Sequence, residues 1–227
     1  MPKLKPDTQL ARRQHILDAA ERSFARAGFH RTTMQDIARE AGVSLGALYV
    51  YFASKEDLIA GITERDRAKL ADQLADVAQS DDIAVALAKL GQHYVVDEPR
   101  HKQQLVVEIG CEAMRGGAVA EIVQTCDRLV LEQFEALFQR AITDGKIAPS
   151  LDARQLALAV ATIGDGLFWR RAIDPDFDTH AMVPVLSALV AGLLSANAPA
   201  HPTPAPMPVP TPAPSITPSL SARGHLA

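Results

Sequence analysis

Apolar positions recur along most of this chain at the spacing of one face of a helix. Leu10, Leu17, Ala20 and Phe24 line a first helix that ends at Gly28. Met34, Ile37, Ala38 and Ala41 keep the i, i+3, i+4, i+7 pattern of a second, amphipathic helix. Thr33 with Asp36 forms a capping-box-like start for it, and Gly42 supplies a left-handed stop. Ser44 then caps a short helix running to about Phe52. Ser54, with Asp57 in the third position, caps a longer helix through Leu58, Ile62, Leu70, Leu74 and Val77. Five further helices are predicted over 82–96, 101–115, 118–144, 152–172 and 179–195. Their breaks fall at Asp97-Glu98-Pro99, Gly116-Gly117, Gly145 to Pro149 and Asp174-Pro175-Asp176. Strand-like alternation is nearly absent, so the fold class is all-α.

The pattern stops at Asn197. Nine of the 15 prolines fall in residues 197–227, several at every second position, as in Pro202-Thr-Pro-Ala-Pro-Met-Pro-Val-Pro210. Proline at that density cannot donate helical hydrogen bonds, and no core can be built from it. A disordered Pro-rich tail with polyproline-II character is expected there. The chain thus divides into a head over 10–70, a helical body over 71–196 and the tail over 197–227.

Composition narrows the function classes. With 48% hydrophobic and 22% charged residues the chain reads as an ordinary soluble protein. No apolar stretch approaches the length of a membrane span, and Met1 to Arg13 lacks the apolar segment of a secretory signal. Cys111 and Cys126 are too few for a disulfide scaffold or a zinc module, so a cytoplasmic protein with reduced thiols and no metal or cofactor is expected. The net charge of −4 is unevenly placed: residues 1–58 carry +2 and residues 59–196 carry −7. A basic head on an acidic body points any polyanion toward the head.

The informative stretch is Gly28 to Leu58, GFHRTTMQDIAREAGVSLGALYVYFASKEDL. Two short helices joined by a tight turn at Ala41-Gly42-Val43-Ser44 make a helix-turn-helix over about 33–52, whose second helix is slim enough for the DNA major groove. Ala38, Val43 and Leu48 are small or aliphatic, which lets the two helices pack closely. The second helix is too short to persist alone and must be held by its neighbours.

This stretch resembles the N-terminal domain of the tetracycline-repressor family of bacterial regulators. The resemblance rests on Gly28-Phe29, Thr32-Thr33, Asp36-Ile37-Ala38, Ala41-Gly42-Val43-Ser44, Gly46, Leu48-Tyr49, Tyr51-Phe52, Ser54-Lys55 and Leu58, and it covers roughly residues 10–70. The later helices and Gly164-Asp-Gly-Leu-Phe-Trp-Arg-Arg-Ala-Ile-Asp-Pro175 resemble the family's effector and dimer domain. The resemblance implies phosphate contacts from Thr33, Tyr49, Tyr51 and Lys55. It implies base-edge contacts from Gln35, Ser44, Leu45, Gly46, Ala47 and Val50. Leu45 and Val50 depart from the usual pattern of polar or aromatic residues and cannot hydrogen-bond a base, so readout would lean on thymine methyls and Gln35. Helical spacing also allows Leu45 to be core, Tyr51 to be a surface tyrosine and Lys55 to be merely solvated.

Nothing in the body reads as a catalytic constellation, and an enzyme is not expected. The resemblance implies an apolar effector pocket between helices, with His93, Tyr94, Glu108, Cys111, Met114, Phe134, Asp165, Phe168 and Trp169 as candidate lining. Each of these fits ordinary core or interface equally well. Glu108 and Asp165 stand out because a carboxylate in an apolar segment needs a partner or water. The expectation is therefore a homodimeric regulator of a palindromic double-stranded operator, repressive and released by a small molecule. Its dimer contact is expected from the last two helices, with Val185, Leu186, Leu189, Val190 and Leu193 as the final helix's stripe. The alternative is a regulator that is ligand-independent or responds to cysteine oxidation. A helical scaffold acting through its Pro-rich tail is the reading from a different class.

Overall fold

The computed structural model describes residues 6–195, and the expected Pro-rich tail lies outside them. Nine α-helices follow in order: α1 Pro6–Ala27, α2 Met34–Glu40, α3 Leu45–Tyr49, α4 Lys55–Gln79, α5 Ile83–Gln92, α6 Arg100–Ala113, α7 Ala118–Thr143, α8 Ala153–Ile173 and α9 Thr179–Leu194. No strand occurs among the described residues. The local rules that mark these helices in the sequence operate in the structure. Thr33 and Asp36 form a complete capping box on α2, Asp152 and Gln155 another on α8, and Ser44, Ser54, Asp82 and Asp178 cap α3, α4, α5 and α9.

Two apolar cores divide the protein. The first is built from Ile16, Leu17, Ala20 and Phe24 of α1, Ile37 and Ala38 of α2, Leu48 of α3, and Leu58, Ile59 and Ile62 of α4. Leu105 and Ile109 of α6 and Val119 of α7 complete it, so the head is closed from beneath by the body. The second joins Leu74 and Val77 of α4 to Ile83, Leu87, Phe134, Phe138, Leu156 and Leu194. The helix α4 therefore serves both cores, its first half in the head and its second half in the body.

Two local features were not expected. The helix predicted over 82–96 ends at Gln92, and the chain widens into a π-helical turn over His93–Asp97. Side chains occupy the carbonyls of this turn: Gln103 Nε2 donates to Tyr94 O, and the Arg171 guanidinium donates to Val96 O and Glu98 O. Pro184 lies inside α9. Its ring nitrogen has no hydrogen to give, which removes one helical bond.

Candidate nucleic-acid interface

The head presents α3 outward on a rigid base. Ser44 Oγ accepts from Ala47 N at 3.2 Å, which starts the helix, and Leu48 anchors it with no exposed surface. The turn before it is tight because Gly42 takes φ +62°, where a side chain would be strained. Val50 is 80% exposed and Tyr49 is 50% exposed. Ser44, Gly46, Thr33 and Gln35 are also exposed, and Ala47 is half-buried. The residues expected to face DNA therefore share one solvent-open face across α3 and the start of α2.

Three expected contacts have other engagements. Leu45 and Tyr51 are half-buried and pack against the head core. Lys55 does not stand free: its Nζ donates to Phe29 O at 2.6 Å and lies 4.3 Å from the centre of the Phe29 ring. Thr33 also donates its hydroxyl to Asp36 Oδ2 at 2.6 Å, and Asp36 is held below the usual carboxylate range by these Thr33 bonds. The exposed face thus carries few groups able to hydrogen-bond a base edge.

The loop between α1 and α2 is gripped from two sides. Lys55 holds its carbonyls from α4, while Glu108 of α6 accepts from Phe29 N at 2.7 Å. His30 Nε2 sits 2.7 Å from Glu112, also on α6. Gly28, at φ +82°, admits this approach, since a Cβ there would lie 2.9 Å from Glu108 Oε1. Arg65 of α4 binds Glu21 at 2.6 Å and Asp18 at 2.8 Å, both on α1. Glu108 is therefore a joint between body and head and not pocket lining.

Behind the head, a cavity of about 230 Å³ opens between α4, α5, α7, α8 and α9. Its wall is almost wholly apolar, with Leu70, Leu87, Phe134, Val160, Phe168 and Val190 among the contributors. Of the expected lining residues, Tyr94, Phe134, Asp165 and Phe168 are present. His93, Glu108, Cys111, Met114 and Trp169 are not. His93 turns toward Lys69 and Glu98, Met114 is 81% exposed at the end of α6, and Trp169 faces outward. Leu70, Val95, Val130 and Leu186 were missed, because an apolar residue on a cavity wall has the same spacing as one in a core.

The cavity wall is tied to α4 by polar contacts. Tyr94 donates its hydroxyl to Gln73 Oε1 at 2.6 Å, and Lys69 Nζ lies 2.9 Å from Glu98 Oε1. Burial, with Asp66 and Glu98 nearby, pushes the Tyr94 phenol up to about 12, so it stays a neutral donor. Burial alone would raise Glu98, but Lys69 and Lys102 outweigh it and hold the carboxyl low. The Cys126 thiol is pushed up by burial and by Asp127, the opposite of the activation a redox sensor needs.

Comparison with known proteins follows the same two-part division. Residues 16–62 match the family model described as bacterial regulatory proteins, tetR family. Residues 94–195 match that of the BetI-type transcriptional repressor, C-terminal. The HTH-type transcriptional regulator TtgR of Pseudomonas putida is 30% identical over 182 residues, covering 76% of this chain and 85% of TtgR. The solved structure of Salmonella enterica GusR superposes with a TM-score of 0.70 at 27% identity, covering 84% of this chain and 97% of GusR. NalD, described as the secondary repressor of the MexAB-OprM multidrug efflux pump in Pseudomonas aeruginosa, gives a TM-score of 0.61 at 25% identity. That match covers 81% of this chain and 97% of NalD.

Proposed function

The chain belongs to the tetracycline-repressor family of bacterial transcriptional regulators, and on that premise we propose that it is a homodimeric repressor released from a palindromic operator by a small molecule. It is a DNA-binding regulator and not an enzyme. The finer reading rests above all on one observation: the cavity and the head share α4. Leu70 of α4 lines the cavity, Gln73 and Lys69 fasten α4 to the cavity's π-helical wall, and Leu58, Ile59 and Ile62 lock the same helix into the head core. A ligand that pushes on Tyr94 or Val95 would therefore bear on the helix that carries the head.

The proposed DNA face comprises Thr33, Gln35, Ser44, Gly46, Ala47, Tyr49 and Val50, with Leu45, Tyr51 and Lys55 supporting it from within. One five-residue helix can read only a few base pairs, so a specific site calls for two heads on a two-fold axis. The surface for that pairing is supplied by α8 and α9. Leu158, Trp169 and Ile173 on α8 and Val185 and Leu189 on α9 are each about half exposed in the single chain. Apolar surface of this extent is characteristic of a contact face. NalD, a repressor by its description, favours the repressive sign.

The test is a gel-shift with fragments flanking the gene, followed by footprinting. A two-fold-symmetric protected site bound by a dimer, and released by a compound that occupies the cavity, is the expected result. Binding by a monomer to an asymmetric site would overturn the dimer reading. A cavity-binding compound that leaves the complex intact would overturn induction. The oxidation alternative is disfavoured by the raised Cys126 thiol.

A further inference from the structure

We propose that the cavity selects an apolar ligand bearing a positive charge, with the cation seated against Asp165. This deepens the ligand-release reading above and rests on the cavity being a binding site. Among its lining residues only two are ionisable, Asp165 and Tyr94. Tyr94 is neutral and gives its hydroxyl to Gln73, so Asp165 supplies the one formal charge on an otherwise apolar wall.

Placement on α8 puts Asp165 at the rim. Ala161, Gly164 and Phe168 lie on the cavity side of the helix, whereas Leu158 and Trp169 face outward. Gly164 and Gly166 flank the carboxylate, and a Cβ built at either meets nothing within 4 Å, which leaves room beside it for a ligand head group. Asp127, on the neighbouring α7, adds negative charge, and Asp165 in turn raises Asp127. Although the outer side of Asp165 is open to water, desolvation on its protein side still pushes its carboxyl up, and no cation offsets it. A ligand closing over this rim removes more water from the carboxylate. An anionic head would meet like charge, a neutral one would leave the carboxylate less solvated, and a cation would compensate it. A fatty acid or another amphiphilic anion is thus the wrong ligand for this wall, and a lipophilic amine or quaternary ammonium is the right one.

The experiment compares three probes with one tail, octyltrimethylammonium, 1-octanol and octanoate, by titration calorimetry on the full chain. The ammonium should bind tighter than the alcohol by roughly tenfold or more, and octanoate should bind weakest. Asp165→Asn should bring the ammonium down to the level of the alcohol and leave the alcohol unchanged. Asp127→Asn should reduce the preference by a smaller factor. Equal binding of all three probes, or tighter binding of octanoate, overturns the charge assignment while the cavity stands. Failure of every probe to bind overturns the assignment together with the cavity reading. If Asp165→Asn weakens the dimer and leaves the ammonium preference intact, the carboxylate serves the partner copy and the assignment is wrong. Tight ammonium binding that does not loosen DNA refutes release alone, and the ligand class then survives without induction.

Discussion

Gly61 shows how a single atom can matter in the head. It lies buried on α4, and a Cβ there would come within 2.8 Å of Leu17 Cδ2 and 3.0 Å of the Phe52 ring. Alanine would gain about 1 kcal/mol of helix propensity. It would also overpack a spot whose Leu17 neighbour has no exposed surface and nowhere to go, at a cost of about 1–3 kcal/mol. Gly61→Ala should therefore lower the stability of the folded protein by about 1 kcal/mol, read as a fall of a few degrees in melting temperature. Lys55 poses a different question. Its ammonium clasps the Phe29 carbonyl, so Lys55→Ala should loosen the head and weaken DNA binding while leaving the salt dependence of affinity unchanged. A salt slope flattened by about 0.9 would instead assign Lys55 to a phosphate. Sequence alone could reveal neither role. Gly61 stands in a helical stretch with no turn signal, and the acceptor of Lys55 lies 26 positions away.

At the scale of elements the sequence was largely legible, because helix ends are written in neighbouring residues. The starts of α2, α3, α4 and α8 follow from Thr33, Ser44, Ser54 and Asp152, each with a partner three positions on. The π-helical turn was not legible, since Gln103 and Arg171, which hold its carbonyls, belong to other helices. The α2 cap carries an acid-sensitive prediction. Hydrogen bonds from Thr33, then Arg39, hold Asp36 low, and those from Arg22 and Arg26 hold Glu40 low. Groups depressed in the folded state contribute stability above their unfolded values, here 3.8 and 4.5, and lose it as pH falls through the folded ones. Loss of the head's helical signal should therefore set in below about pH 4.5, and Asp36→Asn should make that loss less steep. An acid transition identical in the variant would remove Asp36 from the cause.

At the scale of the whole molecule, the last two helices separate into inner and outer faces. The apolar stripe expected on α9 is split: Val185 and Leu189 face outward, Leu186 and Val190 line the cavity, and Leu193 packs on the body core. Helical spacing identified the stripe but could not assign its two sides, because both are apolar. A charged residue at Leu193 would damage the core, so the cleaner test of assembly uses the outward pair. Val185→Asp with Leu189→Asp should yield a folded monomer by analytical ultracentrifugation, with operator affinity reduced at least tenfold. A tight dimer in that variant would place the contact elsewhere.

Coupling between cavity and head through α4 is most directly tested by thermodynamic reciprocity. A ligand can shift the protein between two states only by its difference in affinity for them, and a hundredfold loss of DNA affinity corresponds to about 2.7 kcal/mol. The measurement is the dissociation constant of a cavity ligand, by calorimetry, for the free protein and for the operator-bound protein. Coupling through α4 requires the ligand to bind the DNA complex more weakly, by the same factor by which saturating ligand weakens DNA. Equal affinity for both forms would contradict it and leave the cavity unconnected to the head.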